Sequence, residues 1–349
     1  MNQGIELDLT EIVAELESDL VRLINRSILL TGATGMFGIW FLSLFKFLNE
    51  NFEMNITVEV LSRNPKRFLE KNPEFNSCKW IVWNQADVRS FVPIMPSYHY
   101  VIHGATTSAA ETYGGMPPMA KFDVVLQGTL RVLDATKEMH PEGFLYISSG
   151  SVYNSSTAQG IKETNTESPL VSNTGASIAH GKRAAEFACF ATLEEYPDIS
   201  LNVARCFSFL GPHLPLDLHY AVGNFIKSIL EGEPIHLKNT QQVHRSYLYM
   251  SDGISWLLKI LLSKQSREIY NVGSPEGITL LDLTNMLSTN FGARVILGGS
   301  DENLRLNTSA PSFYIPDTSK IESQIGVRMK VSLLDGVRRT IDFESSKAH

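Results

Sequence analysis

Residues 28–38 read ILLTGATGMFG, and this stretch decides the fold. A short apolar run at residues 27–31 predicts a buried strand, and an apolar segment from residue 36 to about residue 48 predicts the helix that follows. Between them stand three glycines in a GxxGxxG array, namely Gly32, Gly35 and Gly38. Such a turn lets the backbone approach a pyrophosphate closely, and the N–H groups at the start of the helix then hold the anion. The stretch therefore predicts a phosphate-binding turn after the first strand.

Strand and helix signals alternate along most of the chain. Further strands are predicted at residues 56–61, 80–83, 100–103, 144–148, 200–205 and 268–272, with helices near 119–139 and 177–195. Repeated alternation of this kind favours a parallel sheet covered by helices on both faces. With the glycine turn at its start, the pattern predicts a Rossmann-type α/β fold with a doubly wound parallel sheet.

The alternation breaks after residue 206, where turns rich in Pro and Gly predict a smaller, interleaved C-terminal substrate domain. We expect an N-terminal helical extension at 1–26, a nucleotide-binding domain at 27–206 plus about 240–272, and a substrate domain at 207–239 and 273–349. Within the extension, residues 8–25 predict an amphipathic helix that begins at Asp8, because Asp8 and Glu11 have the spacing of a capping box.

The composition narrows the function classes. The 349 residues carry a net charge of −7 with no concentrated basic surface, which argues against nucleic acid as a partner. The three cysteines, Cys78, Cys189 and Cys206, lack CxxC spacing, so we expect no disulfide framework and no metal site. No run of 18 apolar residues occurs, and the acidic N-terminal segment is unlike a signal peptide. We therefore expect a cytoplasmic protein without a membrane partner.

Further motifs follow the glycine turn in a fixed order. They are ADV at 86–88, VIHGAT at 101–106, YISSGSVYN at 146–154, GKRAAE at 181–186, RCFSFLGPHLP at 205–215 and HRSYLYMSD at 244–252. In this order and spacing the chain resembles the extended short-chain dehydrogenase/reductase family, in its nucleotide-sugar epimerase/dehydratase branch. The resemblance runs over nearly the whole chain after residue 26, although Ser208 stands where the family's hinge motif has Asn.

The resemblance implies a bound NAD or NADP. The residues it assigns to the cofactor are Gly32, Thr34, Gly35, Met36, Phe37, Gly38, Arg63, Asp87, Val88, Gly104, Ala105 and Lys182. Among these, Asp87 is implied to bind the adenine amine. The second strand ends in Arg63 without a carboxylate at its tip, which favours the 2′-phosphate of NADP, whereas most epimerases of this branch use NAD. Both cofactors stay open.

The family's chemistry needs a tyrosine, a lysine four residues later and a serine. The resemblance places Lys182 and Ser149 in the latter two roles, but Ile178 stands where the tyrosine belongs. Another proton carrier is one explanation, with Tyr113 and Tyr153 as the candidates. The alternatives are a degenerate member that binds its ligands without efficient turnover, and an engineered isoleucine.

The reaction and substrate follow from the same comparison. Gly150 and Ser151 stand where dehydratases of this branch carry an Asp-Glu pair, so 4-epimerisation or 4-keto reduction of a nucleotide-diphosphate sugar is preferred over 4,6-dehydration. The sequence shows no specific signature for decarboxylation. The residues assigned to the substrate are Ser149, Ser151, Asn224 and Arg245, with Arg245 on the diphosphate. A nucleotide-sugar sensor or scaffold is the alternative function, and a homodimer through helices near 119–139 and 177–195 is expected.

Overall fold

The computed structural model of the chain describes residues 3–154, 160–217, 220–237, 243–298 and 312–347. In these residues the α-helices are α1 Gln3–Leu16, α2 Met36–Phe52, α3 Pro65–Lys71, α4 Ala109–Tyr113, α5 Pro118–Met139, α6 Ser177–Leu193, α7 Ala221–Glu231, α8 Met250–Leu262, α9 Leu280–Phe291, α10 Ser319–Ile325 and α11 Leu333–Ser346. The strands are β1 Ser27–Thr31, β2 Thr57–Ser62, β3 Ile81–Gln85, β4 Tyr100–His103, β5 Gly143–Ser149, β6 Ser200–Cys206, β7 Phe209–Leu210, β8 Ile235–Leu237, β9 Val243–Ser246, β10 Leu248–Tyr249, β11 Glu268–Val272, β12 Gly277–Thr279, β13 Val295–Leu297 and β14 Ser312–Tyr314. None of these helices is both long and apolar enough to cross a membrane.

A seven-stranded sheet forms the centre of the fold. Its order is β3-β2-β1-β4-β5-β6-β11, and every neighbouring pair in it is parallel. The order reverses direction between β1 and β4, which is the position where doubly wound sheets bind ligands at the carboxyl ends of their strands. The predicted Rossmann-type α/β fold is therefore confirmed.

Helices cover both faces of this sheet because its strands are apolar on both sides. In β1, Ile28 and Leu30 belong to the core shared with α2 and α8, and Leu29 belongs to the core shared with α5 and α6. Helix α2 is apolar nearly all round, which is typical of a helix buried on several sides. This packing holds the strand ends, and the loops that follow them, in fixed positions.

The C-terminal part adds smaller sheets beyond the carboxyl ends of the central strands. Strand β9 pairs with β12 in antiparallel and with β14 in parallel orientation, and β8 pairs with β13. In the first of these sheets Arg245 is the register partner of Tyr314. Helices α7, α9 and α11 supply apolar residues to a core of their own, such as Phe225, Leu283 and Val337.

The N-terminal helix differs from its prediction. Helix α1 is already helical at Gln3 and ends at Leu16, and a 3-10 helix at Glu17–Leu23 follows it. The prediction that the helix begins at Asp8 and runs to residue 25 is therefore wrong. Asp8 is buried in the middle of α1, where its carboxylate accepts a hydrogen bond from the Tyr249 hydroxyl at 2.7 Å and pairs with the Arg339 guanidinium. A tertiary contact, and not a helix cap, explains this carboxylate.

Candidate functional site

The glycine turn is built so that two of its glycines admit no side chain. Gly32 has a φ of +78°, and a Cβ there would lie 2.6 Å from the backbone of Gly104. A Cβ on Gly38 would lie 2.2 Å from the Cα of Ala33, so this glycine lets α2 pack against the turn. The turn therefore lies in close contact with the end of β4.

Gly35 is the N-cap of α2, and it has no side chain that could satisfy the first amides of the helix. The backbone N–H groups of Met36, Phe37 and Gly38 lie in the first helical turn, where no intrahelical acceptor exists. An anion at this helix end is favoured by these donors and by the helix dipole. The turn fits the pyrophosphate of a dinucleotide.

A cleft opens beside this turn, along the ends of β1, β2, β3 and β4. The cleft is lined by Gly32, Thr34, Leu61, Ser62, Arg63, Ala86, Asp87, Val88, Ala105, Thr106 and Val124. Six of the residues assigned to the cofactor from sequence are thus brought together on one surface. The glycine cradle and this cleft fit an adenine dinucleotide.

The charged groups at the edge of the cleft are paired with one another. The Arg63 guanidinium donates two hydrogen bonds, of 2.5 and 3.0 Å, to the Glu111 carboxylate. This contact lowers the pKa of Glu111 to about 2. Asp87 accepts three hydrogen bonds from Arg89, which lower its pKa. The cation that favours NADP in the sequence therefore already has a carboxylate partner.

Lys182 lies next to β5, close to the carboxyl end of that strand. Its ammonium donates a hydrogen bond of 2.7 Å to the carbonyl of Ile147 and lies 4.7 Å from the centre of the Tyr146 ring. The side chain is buried, and burial lowers its pKa to about 8. Ile178 stands four residues earlier on α6 and is half-buried. The lysine is thus held close to the strand that carries Ser149.

The serines at the end of β5 have different partners. Ser149 accepts a hydrogen bond from the backbone N–H of Ser151 at 3.1 Å, and Ser148 donates one of 2.5 Å to the Glu186 carboxylate. Glu186 also pairs with the buried guanidinium of Arg205 at 2.6 Å. Ser148 is therefore bound to a buried ion pair, while Ser149 lies at the open end of the strand.

Neither tyrosine proposed from sequence lies free beside Ser149. Tyr153 is buried; its hydroxyl donates to Asn271 at 2.9 Å and accepts from Arg205 at 2.7 Å, and burial raises its pKa to about 12. Tyr113 is exposed at the end of α4, and its ring lies 5.8 Å from the Tyr220 ring, centre to centre. The contacts of Tyr153 disfavour exchange of its proton with a substrate, and Tyr113 belongs to a different element from Ser149.

A third tyrosine, which sequence reasoning missed, lies beside Ser149. The hydroxyl of Tyr314 lies next to the backbone of Gly150, the neighbour of Ser149, because a Cβ on Gly150 would lie 2.7 Å from its oxygen. The Arg245 guanidinium lies over the aromatic ring of Tyr314, 5.2 Å from the ring centre. No local motif marks Tyr314, because the pairing of β14 with β9 brings it to the site.

The remaining residues assigned from sequence lie apart from one another. Asn224 is exposed on α7, and Arg245 has no ion-pair partner among the described residues. In the described part of the chain no three His, Cys, Asp or Glu side chains form a group that could hold a metal ion. The site therefore offers a buried lysine, a serine, a tyrosine and a guanidinium beside a dinucleotide cleft.

Sequence relatives carry related names. UDP-glucuronic acid decarboxylase 6 of Arabidopsis thaliana is 24% identical over 320 residues, which cover 90% of this chain and 87% of that protein. UDP-glucuronic acid decarboxylase 1 of Xenopus tropicalis is 27% identical over 163 residues, or 47% of this chain. The match spans only 37% of the length of the Xenopus protein.

Solved structures share the fold. The UDP-glucuronic acid 4-epimerase of Bacillus cereus, in complex with UDP-glucuronic acid and NAD, superposes with a TM-score of 0.75 at 21% identity, over 93% of this chain and 100% of that one. The UDP-glucose 4-epimerase of Thermotoga maritima superposes with a TM-score of 0.72 at 20% identity, with the same two coverages. A family model, described as the NAD dependent epimerase/dehydratase family, matches residues 28–273. Because that match covers the central sheet and most of the site, the chain belongs to the NAD-dependent epimerase/dehydratase family.

Proposed function

We propose that the chain is an NAD-dependent enzyme that transfers a hydride at C4 of a UDP-sugar, either oxidising and re-reducing C4 as a 4-epimerase or reducing a C4 ketone as a 4-keto reductase. The observation that carries the proposal is the convergence of Arg245 and the end of β5 on one tyrosine, Tyr314. The guanidinium lies 5.2 Å from the ring centre, and a Cβ on Gly150, the neighbour of Ser149, would lie 2.7 Å from the hydroxyl oxygen. The proposed phosphate ligand and the proposed sugar ligand thus lie one aromatic residue apart. The UDP moiety is taken from the names of the four relatives described above, each of which includes a UDP-sugar.

Each side chain has a separate task in this proposal. NAD, when bound, takes up the C4 hydride and returns it. Arg245 binds a phosphate oxygen through its guanidinium, which suits that geometry. Lys182 hydrogen-bonds the ribose of the cofactor and keeps a positive charge near the sugar oxygen, and Ser149 orients that oxygen. The cofactor roles given to the glycine turn, Asp87 and Val88 remain part of the proposal.

The pairing of Arg63 supports NAD over NADP. A 2′-phosphate would need the Arg63 guanidinium that Glu111 already occupies, and the Glu111 carboxylate would repel the added charge. The ribose hydroxyl of NAD adds no charge at this place and needs only a hydrogen-bond acceptor.

The surroundings of Gly150 disfavour 4,6-dehydration. A Cβ at this position would lie 2.7 Å from the Tyr314 hydroxyl and 2.9 Å from the Phe207 ring. The acidic side chain that dehydratases carry there therefore has no room in this chain. With Ser151 at the next position, the extra acid and base of a dehydratase are both missing.

Decarboxylation of a UDP-sugar acid is a second candidate. It is favoured by the relative from Arabidopsis thaliana, which matches 90% of this chain and is named a UDP-glucuronic acid decarboxylase. Both reactions begin with oxidation at C4, so they need the same lysine and serine. Retention of Lys182, Ser149 and Arg245 argues against a sensor or scaffold that only binds the sugar nucleotide.

We also propose that two copies associate through α5 and α6, as the family resemblance implies. These helices pack against each other and expose apolar side chains on their outer face. Met119 and Phe187 are 71% and 74% exposed, and Leu130 is partly exposed. A second copy of this face would remove these side chains from water.

A turnover assay tests the proposed function. Purified protein is incubated with UDP-glucose, UDP-glucuronic acid and the corresponding dTDP-, GDP- and CDP-sugars, with NAD or NADP in D2O, and products are read by NMR and mass spectrometry. We expect a 4-epimer from a UDP-sugar; a 4-keto reductase would instead consume NADH when it is supplied together with a UDP-4-keto-sugar. A UDP-pentose and carbon dioxide from UDP-glucuronic acid would identify the decarboxylase, and tight binding without conversion would identify the sensor. Lys182→Met, prepared in the same way, controls for epimerases carried over from the expression host.

A further inference from the structure

We propose that the Tyr314 phenol is the proton carrier that this chain uses in place of the tyrosine missing at position 178. The inference rests on the proposed function, because it assigns a residue to the same oxidation at C4. It concerns a residue outside the segment in which the family keeps its tyrosine, brought to the site from the other side of the cleft by a small C-terminal sheet.

The Tyr314 hydroxyl lies against the end of β5. It is so close to Gly150, which directly follows Ser149, that a Cβ on Gly150 would come within 2.7 Å of it. Ser149 is the residue proposed to orient the sugar oxygen. Ser149 is the last residue of β5 and Gly150 follows it, while the Ile147 carbonyl of the same strand binds Lys182. The phenol and the lysine are therefore both placed along the carboxyl end of β5.

The ring of Tyr314 is held in this orientation. The Phe207 ring lies 4.7 Å away, centre to centre, and the Arg245 guanidinium lies 5.2 Å from the ring centre. The strand register, in which Tyr314 pairs with Arg245, fixes the backbone on the same side. A residue held by a strand, a ring and a cation is pre-organised for a single position of its hydroxyl.

The environment provides for both protonation states of the phenol. Burial raises the pKa of Tyr314, so the resting group is the neutral phenol, while the Ser149 hydroxyl and the Arg245 charge oppose this shift and stabilise the phenolate. Other tyrosines near the site are bound elsewhere or enclosed. Tyr153 is committed to Asn271 and Arg205, and Tyr146 lies fully buried beneath Lys182.

The proposed proton transfer balances with the hydride. The phenol first releases its proton to solvent water. In the oxidative half-reaction the O4–H bond of the sugar breaks and its proton forms a bond with the phenolate oxygen, while C4 gives a hydride with its electron pair to the cofactor and becomes a carbonyl carbon. In the reductive half-reaction the hydride returns to C4, the phenol O–H bond breaks, and the proton bonds to O4. The sugar is oxidised and then reduced, and Tyr314 ends as the phenolate that began the cycle.

Four proteins test this role: the chain itself, Tyr314→Phe, Ile178→Tyr and the double variant Tyr314→Phe/Ile178→Tyr. We expect Tyr314→Phe to lower kcat by ~10²–10⁴-fold, the usual effect of losing a positioned acid–base group. The double variant, which has the family's tyrosine at position 178, should have a kcat at least about tenfold higher than that of Tyr314→Phe. Tyr196→Phe, at the amino-terminal edge of the sheet beside His140, is the matched control and should turn over at the unaltered rate.

Two readouts separate proton transfer from a structural effect. In the chain itself kcat/KM for the UDP-sugar should rise about tenfold per pH unit between about pH 6 and 8, whereas the residual rate of Tyr314→Phe should not follow pH. NAD binding, measured by quenching of tryptophan fluorescence, should stay within about twofold in every variant. Gly150→Ala, which keeps the phenol but displaces it, should also lower turnover, so the test does not depend on one variant.

The outcomes distinguish the two proposals. Conversion of a UDP-sugar by the chain itself and by Tyr314→Phe at equal rates would overturn the role of Tyr314 and leave the proposed function intact. Activity that appears only with Ile178→Tyr, whatever stands at position 314, would overturn it as well and identify the chain as catalytically silenced. No conversion by any of the four proteins would overturn the proposed function itself.

Discussion

The Glu111 carboxylate accepts two hydrogen bonds, of 2.5 and 3.0 Å, from the Arg63 guanidinium across the mouth of the cofactor cleft. Arg63 directly follows β2, and Glu111 lies in the first turn of α4, where it also completes a capping box with Ser108. The pair raises the pKa of Arg63 and lowers that of Glu111. One carboxylate thus serves a helix terminus and neutralises the cation next to the position of the ribose 2′ group.

Glu111→Gln should therefore change the choice of cofactor. Without the carboxylate, Arg63 is free to bind the 2′-phosphate, and we expect NADP affinity to rise by about tenfold, since a charge-assisted contact gives roughly 1–2 kcal/mol at a partly exposed site. NAD affinity should change little. Fluorescence titration with both cofactors measures the ratio, and Glu138→Gln on α5 is an exposed acidic control. An unchanged ratio would mean that Arg63 does not face the 2′ position.

Lys182 should lower the stability of the fold. Burial lowers the pKa of Lys182 in the folded chain to about 8, against 10.5 for the free side chain. At every pH below about 8 the buried charge therefore lowers the free energy of unfolding. Lys182→Met should raise the free energy of unfolding at pH 7 by about 1–3 kcal/mol while abolishing turnover. Because the unfolded chain binds more protons between about pH 8 and 10.5, the stability of the unaltered protein should rise across this window and the difference should shrink.

Urea unfolding at pH 7 and at pH 9.5 measures both effects on Lys182. Lys259→Met is the comparison, since that lysine lies on α8 and makes an ion pair with Glu15 at 2.6 Å. Removal of Lys259 should lower stability, the opposite sign. If Lys182→Met were less stable than the unaltered protein at pH 7, the ammonium would be a structural element and not a strained functional one.

The parts of the fold that follow from local pattern could be predicted from the sequence. The bounds of β1, β4 and β11 agree with prediction residue for residue, because each is a short apolar run bounded by turn residues. The glycine array likewise has the close backbone contacts that its spacing requires. A resemblance to a family then supplied the roles of Ser149 and Lys182.

Contacts between distant segments could not be predicted in this way. Tyr314 reaches Ser149 only because β14 pairs with β9, and Glu111 reaches Arg63 only because the loop after β4 turns toward the end of β2. Nothing in the residues next to Tyr314 or Glu111 records these pairings. The role of Asp8 was predicted wrongly for the same reason, since its spacing to Glu11 is that of a capping box while its partners lie more than 200 residues away.

The apolar face of α5 and α6 predicts a change in association state. Phe187→Glu places a charge on an apolar surface that a second copy would cover, and we expect the dimer to dissociate into monomers. Phe52→Glu, on α2 and 50% exposed, is the matched control and should leave association unchanged. Sedimentation velocity across a concentration series measures both. If the unaltered protein is itself a monomer, the proposed association through α5 and α6 is wrong.

The N-terminal helix should be held more firmly at acid pH than at neutral pH. Asp8 is 1% exposed, and desolvation raises its folded pKa to about 6 in spite of the hydrogen bonds from Tyr249 and Arg339. Between about pH 3.8 and 6 the folded chain therefore binds more protons at this group than the unfolded chain does, so the contribution of Asp8 to stability falls as pH rises through this window.

Asp8→Asn abolishes the titration. The unfolding free energy of the unaltered protein minus that of Asp8→Asn should then increase by on the order of 2–3 kcal/mol from pH 7 to pH 4. Glu6→Gln, exposed on the same helix, should give a difference that hardly varies with pH. A flat difference for Asp8→Asn would mean that the Arg339 guanidinium keeps the buried carboxylate ionised throughout, and that α1 is bound by charge pairing at every pH.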